Sequence, residues 1–69
     1  MATIDDESVW NMTFGPTQTR ALVLADADSQ GLTPQDYARD AIRIANEQGA
    51  DLDTDAAYKS LCRQLRVDC

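Results

Sequence analysis

Histidine is missing from this 69-residue chain, and cysteine occurs only at Cys62 and Cys69. Two thiols alone make a poor zinc set. A bridge between them would close a trivial loop, so both read as reduced and inert, Cys62 as a small core residue and Cys69 as a frayed end. There is no glycine-rich phosphate loop, no motif serine and no length for a pocket-sized core. The expectation is a protein that is not an enzyme and holds no cofactor or metal. Asp51, Asp53 and Asp55 lack the glycine and distal glutamate of a calcium loop. Nothing approaches the ~18 apolar residues of a membrane span. The opening MATIDDESV has neither the basic nor the apolar region of a signal peptide. A cytoplasmic protein without membrane attachment is expected.

Cations are also scarce, 6 against 12 carboxylates, for a formal charge of -6. At face value this argues against nucleic acid, but the acidity is uneven. Asp5, Asp6 and Glu7 lie in one group and Asp51, Asp53 and Asp55 in another. A chain this short buries a small share of its surface and needs a staple. With disulfide and metal set aside, oligomerisation remains.

Val9-Trp10-Asn11-Met12-Thr13-Phe14 alternates, with Trp10, Met12 and Phe14 on one face and Val9, Asn11 and Thr13 on the other. A period of two with aromatic content predicts a strand, ended by Gly15-Pro16. One strand cannot satisfy its own backbone or shelter a tryptophan. No second strand is apparent, so the partner strand is expected from another copy. Thr17 or Thr19 can cap a helix to about Gln30, closed by Gly31. Thr33 caps a second, from Pro34 to about Gln48. Thr54 or Asp53 caps a third, about Asp55 to Arg66, with Ala57, Tyr58, Leu61, Cys62 and Leu65 as its apolar stripe.

This order resembles the ribbon–helix–helix family of the Arc, MetJ and CopG type. The resemblance rests on WNMTF, on Pro16 before a helix that ends at Gly31, and on GLTPQDYARDAIRIA. In that last stretch Gly31, Thr33, Asp36, Tyr37, Ala38, Arg39, Ala41 and Ile42 are in register with the family pattern. The implied fold is a mainly α ribbon–helix–helix homodimer. An intermolecular two-stranded antiparallel β-ribbon would lie on the helices, with a short C-terminal helix appended. Residues 1–8 would be an acidic flexible tail, 9–49 the ribbon–helix–helix domain, and 50–69 an acidic turn and the C-terminal helix. Trp10, Met12, Phe14, Tyr37 and Ile42 would form the dimer core.

The resemblance implies double-stranded DNA as partner, with the ribbon in the major groove. Val9, Asn11 and Thr13 are then the base-contact candidates. Thr33, at a helix N-terminus, is a phosphate candidate, with Arg20, Arg39 and Arg43. Asp36–Arg39, Asp40–Arg43 and Arg43–Glu47 are also spaced for ion pairs along one helix. The expected function is a sequence-specific transcriptional regulator, a repressor acting as a dimer or as dimers in tandem. The alternative is an antitoxin or other protein-binding module, engaging a partner through Tyr58, Leu61 and Leu65 of the C-terminal helix. That helix could equally pad the core or join dimers along DNA.

Overall fold

The computed structural model describes residues 5–69, which form four helices. They are α1 (Asp6–Thr13), α2 (Arg20–Ser29), α3 (Pro34–Glu47) and α4 (Thr54–Leu65). The last three follow the capping chemistry read from the sequence. Thr19, Thr33 and Asp53 each accept a backbone N–H from the first turn of their helix. These bonds satisfy donors that the helix itself leaves open. Pro34 opens α3, where its missing N–H costs nothing.

The ends repeat one device. After α2, Gly31 N–H donates to Asp28 O and Leu32 N–H to Ala27 O. After α3, Gly49 and Ala50 do the same to Asn46 and Ala45. After α4, Arg66 and Val67 do so to Arg63 and Cys62. Each is a Schellman closure, with the turning residue at positive φ: 73° at Gly31, 96° at Gly49 and 61° at Arg66. Asn46 then pins the α3–α4 connection, its side-chain amide bonding Leu52 O and Leu52 N–H at 3.1 and 2.6 Å.

The ribbon–helix–helix fold is overturned, because no strand occurs among the described residues and residues 9–13 lie within α1. The alternation is real but short. The same stretch, begun three residues earlier, puts Asp6, Val9, Trp10 and Thr13 at helical spacing on one face. Asp6 and Glu7 in the first turn favour a helix through the macrodipole. Packing completes the choice: Val9 is fully buried. Residues 6–8 are therefore helical rather than a flexible tail; residues 1–4 of that expected tail lie outside the described residues.

The expected dimer core is corrected accordingly. Ile42 is fully buried with Val9, Val23, Ala38, Ala57, Leu61 and Leu65 of its own chain. Trp10, Phe14 and Tyr37 pack against this cluster from its edge. Met12 faces outward, 48% exposed. The tryptophan that called for a second copy is sheltered internally. Its indole N–H donates to Gln18 O at 3.0 Å, and its ring meets Phe14 edge-on at 4.8 Å.

The α3–α4 contact is the most extensive, and α1 and α2 each pack against both helices. The α1–α4 contact is polar at one end. Asp6 Oδ1 accepts from the buried Ser60 hydroxyl at 2.7 Å and from Arg63 at 2.9 Å, and Gln64 donates to Asp6 O at 2.9 Å. The Ser60 and Arg63 bonds hold the Asp6 carboxyl below its usual range.

The reduced, unlinked thiols expected above are also corrected: Cys62 and Cys69 form a disulfide, with their Cα atoms 5.9 Å apart. The left-handed turn at Arg66 is the reason. It reverses the chain, lays Val67 on the core, and brings Cys69 back beside Cys62. Gln35 secures this tail by donating to Asp68 O at 2.8 Å.

Candidate functional site

The residues expected to meet DNA have other surroundings. Val9 is wholly inside the core. Asn11 is exposed on α1, and the Thr13 hydroxyl is buried without a partner among the described residues. On a helix these three positions no longer share a face. Thr33 caps α3, accepting Asp36 N–H at 3.1 Å. Arg20 donates through Nε to Leu65 O at 2.8 Å, satisfying a carbonyl at the end of α4. Arg39 sits 4.5 Å above the Tyr58 ring, a cation–π contact instead of the Asp36 pair. Arg43 bonds both Asp40 and Glu47, as the spacing alternative anticipated. These surface pairs contribute little to stability.

The C-terminal helix is likewise committed. Leu61 and Leu65, expected as partner-binding residues, are fully buried in the chain's own core. Tyr58 is half-buried beneath Arg39. Of the roles open to this helix, packing into the core of its own chain is the one observed.

A different surface stands open. Between the end of α1, one face of α2 and the start of α3 lies a hollow of about 550 Å³. Phe14, Leu22, Ala25, Asp26 and Tyr37 line it. Leu22, Ala25, Asp26 and Ser29 recur at three and four residues, which places them on one side of α2. Val23 and Ala27 take the opposite, buried side. Leu22 is 53% exposed. Of the adjacent Leu22 and Val23, the core takes Val23.

The floor of the hollow is ordered by one polar contact. The Tyr37 hydroxyl donates to Asp26 Oδ2, tying α3 to α2, and Gln30 Nε2 donates to the same oxygen at 3.2 Å. Phe14 stacks on Tyr37, with centroids 5.7 Å apart and planes 16° from parallel. The bond to Asp26, then partial burial, then the Asp26 charge push the Tyr37 hydroxyl up to about 12. Because the folded state favours the neutral phenol, this contribution is intact below pH 10 and is lost as pH rises through the folded value. Titration followed by phenolate absorbance should therefore show a late phase near pH 12, and Asp26→Ala should move it toward 10. A single phase near 10 in the unaltered protein would remove the Tyr37–Asp26 bond from the account.

Among the described residues no helix is long and apolar enough to cross a membrane. Compared with family models, curated proteins and solved structures, the chain matches none.

Proposed function

We propose that this chain is a protein-binding module that engages its partner through the hollow between α1, α2 and α3. The observation that carries the reading is Leu22. Met12 and Ile44 are exposed as well, but Leu22 alone of the three lies in a hollow, where it joins Phe14, Ala25 and Tyr37 in one contiguous apolar lining. It replaces the C-terminal helix as the partner surface, since Leu61 and Leu65 are occupied in the core.

Charge favours a protein partner over DNA. Affinity for the duplex comes chiefly from cations meeting phosphates. Of the 6 cations, Arg20, Arg39, Arg43 and Arg63 already have intramolecular partners. The exposed side of α3 offers Asp36, Asp40 and Glu47 against Arg39 and Arg43, three negative groups to two positive. The DNA-regulator expectation depended on a ribbon that the described residues lack.

The test is affinity purification of the tagged chain from its own cells, with the unaltered protein beside Leu22→Asp. A stoichiometric partner retained by the former and lost by the latter is the expected result. Equal recovery with both proteins would overturn the proposed surface. A specific shift of promoter DNA, unaffected by Leu22→Asp, would return the function to DNA binding.

A further inference from the structure

Taking the protein-binding reading as its basis, we infer that the hollow accepts a cationic amphipathic segment of another protein. An aliphatic side chain would lie against Leu22 and Phe14, with a lysine or arginine at Asp26. The lining of the hollow carries this, an apolar wall with a single carboxylate and no cation of its own. In three other hollows carboxylates and cations stand together: Asp5, Asp6 and Glu7 with Arg20, Asp6, Asp53 and Asp55 with Lys59 and Arg63, and Glu47 with Arg39 and Arg43. In the α1–α2–α3 hollow Asp26 is the one charged residue.

The carboxylate is aimed at a cation by what it already does. Both side-chain donors that reach it, Tyr37 and Gln30, bond Oδ2. Among the described residues no donor reaches Oδ1. The bond from Tyr37 also fixes the carboxylate in place before a ligand arrives, which lowers the ordering cost of binding. Phe14 and Tyr37 line the same wall as a stacked pair, and aromatic rings attract ammonium and guanidinium groups. The cation would therefore meet a formal charge and a π surface together.

The same electrostatics argue against a second copy as the occupant. Two chains of formal charge -6 repel, and Ile42, Leu61 and Leu65 are already buried within one of them. A cationic segment gains from that field at long range, so its association should be fast at low salt and slow at high salt.

The test uses the oxidised full chain, isotope-labelled for nuclear magnetic resonance. The probe is a short synthetic amphipathic helix of leucine and lysine, and its control is the leucine–glutamate counterpart. The lysine peptide should bind saturably, with shifts concentrated on α2 and around Tyr37, while the glutamate peptide leaves the spectrum unchanged. Leu22→Ser should weaken binding about tenfold, from the apolar burial it forfeits. Asp26→Asn keeps an acceptor for Tyr37 and should weaken binding about fivefold. Both variants must retain the dispersed spectrum of the folded chain, which their exposure allows. Shifts centred on Asp5–Glu7 or Asp51–Asp55, or equal affinity in both variants, would reduce the effect to diffuse charge and overturn the inference. Self-association abolished by Leu22→Ser would overturn it in favour of a second copy. A cellular partner that depends on Leu22, combined with binding of the glutamate peptide, would keep the function and discard the cationic chemistry. Peptide binding as expected, without such a cellular partner, would do the reverse.

Discussion

Leu61→Ala should lower the unfolding free energy by about 3 kcal/mol, within the range for a buried leucine whose neighbours relax only partly. Leu61 has no exposed surface and lies among Val9, Ile42, Ala57 and Leu65. The alanines in this core, at positions 38 and 57, have no reach to fill the space that the truncated side chain leaves. A domain this small has little stability in reserve, so such a loss approaches the whole margin. Urea unfolding read by Trp10 fluorescence measures it, because the indole is held against Phe14 and Gln18 only in the folded chain. Leu22→Ala is the internal comparison. Its side chain already faces solvent, and the change should stay within about 0.5 kcal/mol. Near-equal losses at the two positions would contradict the division between core and open surface on which the proposed partner site depends.

Removing the Cys62–Cys69 bridge should have the next largest effect, about 2 kcal/mol. The chain-entropy argument gives this size for so short a loop, with sequence separation 7. For a domain of this length that amounts to a fall in melting temperature on the order of 10 °C. Cys69→Ala is the suitable variant, because Cys69 is exposed whereas Cys62 is buried. Thermal unfolding with and without a thiol reductant should bring the unaltered protein down to the variant and leave the variant unmoved. A reductant-insensitive melt of the unaltered protein would show that Val67 and the Gln35–Asp68 bond hold the tail without the bridge. The bridge also bears on compartment. Disulfides persist where the surroundings are oxidising, so the cytoplasmic expectation, drawn partly from reading the thiols as reduced, loses that support.

The parts of the fold that were legible in the sequence are those decided within a few residues. Thr33-Pro34 marks the start of α3 and Gly31 the end of α2, because a cap and a left-handed turn act on their immediate neighbours. The stripe of Ala57, Leu61 and Leu65 declared α4 and its inward face for the same reason. Residues 9–14 failed because six residues fit a period of two and a period of 3.6 almost equally. What decides between them comes from far along the chain: Val9 is buried against Ile42 and Leu61, and the Ser60 hydroxyl, 54 residues away, donates to Asp6. The disulfide was hidden behind Arg66, whose positive φ no rule of composition would assign to an arginine. The open hollow was partly visible: Leu22, Ala25 and Ser29 have helical spacing. Which of Leu22 and Val23 faces outward depends on how α2 is rotated against α3, and that is a property of the assembled core.

The clasp between Asp6 and the Ser60–Arg63–Gln64 edge joins the first helix to the last. The fold is closed into a ring in space, although the chain is open. The start of α1 lies against Gln64 near the end of α4, so a linker from the bridged tail after Cys69 to the start of α1 keeps Val67 and the disulfide, and the Gly15–Gln18 connection becomes the place to cut for new termini. Circular permutation of that kind would leave the four-helix packing intact. It would also set the new ends beside Phe14, at the rim of the hollow.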